Sequence, residues 1–253
     1  MLDVHPPHEA AHTWKDFFIH IATIVVGLLI AVGLEQTVEA IHHRHQLHEL
    51  RDALQQDNGK ALRDDVDIEA SARNEITWLT ARINDLTAAL HDNTTPHFIP
   101  HLHVEIKAIP VDPAWKAAKS NNLIDVMPPD EVPAFTEVDE LLIQLNIYMN
   151  NVQPRARRSA FEQQFRTSLT SPTFDFSRAT HADLVQDLIL LSEERDNERL
   201  IYMYALYVRG CLTAMKRGER DLDKLNDSEN NTEAPYWSFT HKDDAENQPL
   251  TDK

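Results

Sequence analysis

Apolar residues run almost without interruption from Phe17 to Leu34; only His20, Thr23, Gly27 and Gly33 interrupt the 18 positions. At about 1.5 Å per residue the run is roughly 27 Å long, close to the thickness of a bilayer core. Trp14, Phe17 and Phe18 supply aromatic anchors at one end, and Glu35 and Glu39 return the chain to water at the other. A transmembrane helix is therefore expected over 17–41, after a short N-terminal tail, 1–16. Past the span no turn signal occurs before Asn58-Gly59, so the helix is expected to continue through Gln56 as a stalk. Leu47, Leu50 and Leu54 form one stripe; Ile76, Leu79, Ile83, Leu86 and Leu90 form a second with gaps of three and four. The stripes share no register across Asp57 to Asp67, which favours a bundle or a stuttered coiled coil over 42–92.

Pro96, Pro100, Pro110 and Pro113 make 93–113 a linker. A bundle is expected over 114–225. Its first helix is short, from Pro113 to Asn121-Asn122. A second opens at Pro128-Pro129-Asp130 with the face Val138, Leu141, Leu142, Leu145, Tyr148 and Met149. A third carries Phe161, Phe165 and Leu169. After a loop from Ser171 to Arg178, a last helix runs from Ala182 to Leu225. The fold class is all-α: an N-terminal transmembrane helix, a helical stalk and an antiparallel helical bundle. The tail, 226–253, has seven acidic residues, two lysines and no periodicity, and is expected to be disordered.

Composition narrows the classes. Five glycines in 253 residues favour helix and leave little room for a phosphate-binding loop. The net charge of −17 argues against nucleic acid, whose binding needs clustered Lys and Arg. Cys211 is the only cysteine, so no internal disulfide can form. Ala31-Val32-Gly33 has the small-x-small look of a signal cleavage site. The preceding segment holds Lys15 as its only Lys or Arg, however, against Asp3, Glu9 and Asp16, so an uncleaved anchor is the preferred reading. No second run of comparable length follows, and a single crossing is expected.

Two segments carry a resemblance. Ile24-Val25-Val26-Gly27-Leu28-Leu29-Ile30-Ala31 with the Glu35 to Leu50 helix is one. Trp115-Lys116-Ala117-Ala118-Lys119-Ser120-Asn121-Asn122-Leu123-Ile124, with Leu141 to Asn146 and Tyr148, is the other. Together they resemble a broad group of uncharacterised bacterial single-pass membrane proteins, over residues 14 to 150. The resemblance implies an inner-membrane anchor followed by a helical domain and brings no catalytic residue with it. In that group a basic N-terminal flank keeps that end cytoplasmic. Here Lys15 plays that part alone, and a periplasmic soluble domain is expected.

Candidate chemistry concentrates just past the span. Glu39, His42, His43, His45, His48 and Glu49 carry i, i+3 and i, i+4 pairs that could hold a transition metal, and Glu-x-x-His is the unit that di-iron bundles use twice. No facing second copy is found, so a solvated histidine-rich face is preferred; a homodimer would double the ligands. His97, His101 and His103, near Glu105, match no zinc spacing. Within the span Thr23, Gly27, Ala31 and Glu35 recur every four residues, a small-residue ridge suited to homo-oligomer packing. Arg155, Arg157 and Arg158 are expected to pair with carboxylates inside the bundle. Trp115, the group Tyr202, Tyr204 and Tyr207, and Cys211 read as core. No cofactor is required and no nucleophile or acid–base pair stands out. The expected function is a membrane-anchored structural or protein-interaction module with an unidentified protein partner. The alternative is a tethered metal-binding or sensory module.

Overall fold

The computed structural model describes residues 14–97, 108–109, 113–167, 174–231, 236 and 239. Residues 1–13 of the N-terminal tail, Leu169, His101, His103 and Glu105 lie outside them, and the last three tail positions, 14–16, already belong to the first helix. Among the described residues the chain is all-α. The helices are α1 (Trp14–Asp92), α2 (Pro113–Ser120), α3 (Val132–Met149), α4 (Gln153–Glu162), α5 (His181–Lys216) and α6 (Leu222–Asn230), with short 3-10 turns between α2 and α3 and between α4 and α5. One isolated bridge, Arg166 to Phe174, is the sole extended pairing among these residues. Contacts divide the chain into two units, 1–50 and 51–253.

The first unit holds the apolar half of α1. One window there is long and apolar enough to cross a membrane, and none of it is buried. The helix also absorbs its own polar groups: the hydroxyls of Thr23 and Thr37 donate to the carbonyls of Ile19 and Gly33. Trp14, Phe17 and Phe18 form a mutually contacting ring cluster at its start.

In the second unit α1 does not break at Asn58-Gly59, as the turn signal had predicted. Gly59 costs only about 1 kcal/mol in a helix interior, and a continuous buried stripe outweighs it. Leu54, Ala61, Ile68, Ala72, Ile76, Leu79, Ile83 and Leu86 are all buried, and Asp65 occupies the stripe between Ala61 and Ile68. The apparent loss of register arises because one position of the stripe is an acid and two are alanines.

Long-range pairs give the topology. Glu69 meets Arg209, and Arg82 meets Asp187, so α5 runs antiparallel to α1. Arg51 meets Glu131 just before α3, and Asp57 accepts from the backbone N–H of Ala114 on α2. Tyr148 stacks on Tyr204 while Arg220 lies over Phe135, which makes α3 antiparallel to α5. Leu79, Ile83 and Leu86 pack with Phe176, Leu184 and Leu191 in one apolar cluster. Trp115, only 1 % exposed, stacks on Phe135 at 5.5 Å between centroids and is the core anchor expected of it.

Three boundaries differ from expectation. Helix α3 begins at Val132, with Pro133 in its first turn, where proline's missing N–H costs nothing. The expected last helix is two: α5 ends at Lys216, and Gly218 turns the chain at φ +94°. That left-handed conformation suits glycine, and the Met215 carbonyl accepts from both the Gly218 backbone N–H and the guanidinium of Arg220. Helix α6 then folds back on α5 and buries Leu225. The acidic tail starts inside α6, and farther along Tyr236 is buried against Tyr202. Phe239 meets the same ring edge-on beneath Arg73. Disorder throughout 226–253 was thus the wrong expectation for Asn226 to Asn230, Tyr236 and Phe239; low periodicity concealed two aromatic anchors.

Candidate functional sites

The ridge Thr23, Gly27, Ala31 and Glu35 is exposed along its whole length, and a Cβ added at Gly27 would meet nothing within 4 Å. Within one chain the Thr23 hydroxyl donates to the Ile19 carbonyl of its own helix, and the ridge is left uncovered. The neighbouring His/Glu face resolves into two pairs. His43 Nε2 lies 3.9 Å from Glu39 Oε1, and His45 Nε2 lies 3.2 Å from Glu49 Oε1. All six candidates, including His42 and His48, are exposed. With about 100° of rotation per residue the two pairs are centred roughly 120° apart around the axis. They diverge, and among the described residues no three His, Cys, Asp or Glu side chains are grouped to hold a metal ion.

His97 Nδ1 lies 3.4 Å from Asp85 Oδ1 at the start of the linker. Cys211 is buried, with Sγ 3.9 Å from the Leu225 carbonyl. Tyr204 joins Tyr148 and Tyr207 in a half-buried aromatic group, whereas Tyr202 belongs to the contact with Tyr236.

The densest chemistry lies where α1, α4 and α5 meet. Arg155, Arg157 and Arg158 pair internally, as their spacing in an acidic chain predicts. Arg155 reaches Glu194 (3.1 Å), Glu198 (2.9 Å) and Glu75 (3.6 Å). Arg158 bonds Glu162 at 2.7 Å and also Glu194, with Trp78 beneath its guanidinium. Arg157 takes Glu193 at 2.8 Å on the outer side. Deeper still, Arg82 Nη2 lies 3.3 Å from Asp187 Oδ2, with both side chains 0 % exposed. The other nitrogen of Arg82 donates to the His97 carbonyl at 3.0 Å.

Burial drives the carboxyls upward. Asp187 is pushed up to about 7 by desolvation and then by Glu162, against the pull of Arg82 and Arg158. Glu198 also reaches about 7 through burial, which Arg155 opposes and Glu75 and Glu194 reinforce. Glu162 is raised too, again first by desolvation. One further acid stands apart from the seam. Asp65 is 0 % exposed with neither oxygen hydrogen-bonded, and burial pushes it up to about 8 although Arg209 attracts its charge.

Sequence reasoning found the three arginines of α4 and missed their receptors. A signal was present. Asp187, Glu194 and Glu198 follow the same three-, four- and seven-residue spacing as Leu184 and Leu191, so acids occupy inward positions of an otherwise apolar stripe.

Fold and sites together define an all-α protein with one helix long and apolar enough to cross a membrane and a second helical unit built around a buried charged seam. No family model matches the chain, and neither a curated protein nor a solved structure is significantly similar to it.

Proposed function

We propose that this chain is a single-pass membrane anchor whose helical soluble unit serves as a structural or protein-interaction module. One observation carries the reading. Phe17, Phe18, Ile19, Ile21, Ile24, Val25, Val26, Leu28, Leu29, Ile30, Val32 and Leu34 are all exposed, and as near-consecutive residues they occupy every side of the helix. A groove on a partner covers one side of a helix; a helix apolar all round is covered by lipid or by other spans. The internally bonded hydroxyls of Thr23 and Thr37 fit the same environment. The resemblance to bacterial single-pass proteins points the same way, and on it the anchor lies in the inner membrane with the soluble unit in the periplasm. The open ridge at Thr23, Gly27, Ala31 and Glu35 then faces a second copy, and the soluble unit bears the contacts to a protein partner. In this reading the chain catalyses nothing.

The test is the full chain expressed in bacteria. Retention in the membrane pellet after alkaline carbonate washing, with the C-terminal segment accessible to protease from the outside, is the expected result. Release by carbonate removes the anchor reading, and a tail protected until the cells are opened reverses the orientation. A second reading rests on the close His45 and Glu49 pair. Two chains apposed along the ridge double that pair and the Glu39 and His43 pair, giving imidazoles and carboxylates enough for a Zn²⁺ site that one chain leaves open.

A further inference from the structure

Helix α4 is held unlike any other helix of the second unit. Of its residues only Pro154 and Glu162 are buried, so it has almost no apolar face to dock. Arg155 and Arg158 fasten it instead, to Glu75 on α1 and to Glu194 and Glu198 on α5. The groups facing this seam come from all three helices: Glu75 and Arg82 from α1, with Asp85 at its more exposed end; Arg155, Arg158 and Glu162 from α4; and Asp187, Glu194 and Glu198 from α5. Arg157 and Glu193 pair outside it.

Within the seam, five carboxyls that are all nearly inaccessible, Glu75, Glu162, Asp187, Glu194 and Glu198, meet three guanidiniums. Fully ionised, these described ion pairs would hold more carboxylates than guanidiniums away from water. A buried carboxyl without a counter-charge takes a proton rather than remain charged. Two oxygens are free to carry one: Glu162 Oε1 and Asp187 Oδ1 are buried and accept no hydrogen bond.

We propose that the seam is a proton-operated latch: α4 docks on α1 and α5 with uptake of up to two protons by Glu162, Asp187 and Glu198, and is released as the protons leave. When α4 lifts, these three carboxyls return to water and to their ordinary range, so docking and proton binding are linked. The linkage has a fixed sign. Since docked Glu162, Asp187 and Glu198 titrate above solvated carboxyls, the last two near 7, docking is complete at low pH and weakens as pH rises toward about 7. Each linked proton changes the open-to-docked ratio about tenfold per pH unit over that window. The device is independent of whether the first unit spans a membrane.

Hydrogen exchange of the full chain in detergent micelles, from pH 5 to pH 8, tests it. The protection factors of α4 amides are expected to fall with rising pH by ten- to a hundredfold per unit, while those of α3 change far less. Glu198→Gln, which leaves the Arg82–Asp187 pair intact, should reduce that slope, and Asp187→Asn with Glu198→Gln should nearly abolish it. Parallel loss of protection in α3 and α4, or an unchanged α4 slope in Glu198→Gln, would overturn the latch. The wild-type comparison of the two helices decides the matter even if the double variant fails to fold.

Discussion

Replacing Arg82 by methionine probes the deepest charge in the molecule. The substitution keeps an unbranched stem of similar reach under Phe176, whose ring centroid lies 5.3 Å from the guanidinium carbon. It removes the partner of Asp187 and the donor to the His97 carbonyl. Breaking a fully buried ion pair costs about 3–5 kcal/mol when the survivor stays charged. Asp187 has an escape, because burial already raises it to about 7 and loss of Arg82 raises it further. Below pH 7 the stranded carboxyl is therefore neutral, and Arg82→Met should cost roughly 1–2 kcal/mol, chiefly the hydrogen bond to His97. Wild-type stability linked to the Asp187 proton is fully present below the ordinary carboxyl range and lost as pH rises through about 7. In the variant that loss continues to higher pH, so the difference between the two proteins grows by about 1.4 kcal/mol per unit above 7. Arg82→Met combined with Asp187→Leu removes both charges and should recover to within about 1 kcal/mol of wild type or exceed it. Urea denaturation of the full chain in detergent, followed by helical circular dichroism at pH 6 and pH 8, measures all three. A cost for Arg82→Met that is the same at both pH values, or a double variant no more stable than the single one, refutes the reasoning.

Asp65 offers an independent slope. Its raised value, near 8, means that the stability tied to its proton is complete near pH 4 and declines by about 1.4 kcal/mol per unit up to about pH 8. Asp65→Asn should accordingly gain on wild type as pH rises; thermal midpoints separated equally at pH 5 and pH 8 would contradict this. Gly218→Ala places a side chain at φ +94° and should destabilise by roughly 1 kcal/mol, read as a lowered urea midpoint. Gly27→Leu leaves the fold of one chain untouched, since nothing lies within 4 Å of the new Cβ. It should lower the yield of disulfide-free crosslinked dimer in membranes, and an undiminished yield excludes the ridge as the contact. Replacing His42, His43, His45 and His48 together by alanine should abolish any Zn²⁺-induced rise in thermal midpoint; a rise that survives removes the second reading.

The helical fold was legible because its apolar residues recur at helical spacing over long stretches: Ile76, Leu79, Ile83 and Leu86 in α1, and Leu141, Leu142 and Leu145 in α3, are all buried as that spacing requires. Local turn chemistry was the weaker guide. Asn58-Gly59 reads as a turn yet lies inside α1, since a dipeptide preference worth about 1 kcal/mol yields to the buried residues on either side of it. Gly218 is the opposite case: there a single glycine ends α5 because the backbone adopts a conformation that other residues resist. Thr180, which caps α5 reciprocally with Asp183, carried a capping-box signal four residues long that marks the start of the helix as Thr-x-x-Asp.

The charged seam was legible only in its arginines and in the spacing of its acids, for a different reason. Hydrophobic patterning assigns acids to solvent, and it is right for Glu39 and Glu49, which are exposed. It fails for Asp65, Asp187 and Glu194, which lie at inward positions. What distinguishes the two groups is the partner across the interface, and partners distant in sequence leave no local trace: Arg82 and Asp187 are 105 residues apart, Arg209 and Glu69 140. The consequence reaches beyond assignment. A core closed by leucines alone has a stability almost indifferent to pH, whereas one closed by more carboxyls than guanidiniums must take up protons to shut. Helix α4, with arginines where α3 has leucines, turns that excess of acid into a contact whose strength depends on the proton concentration around it.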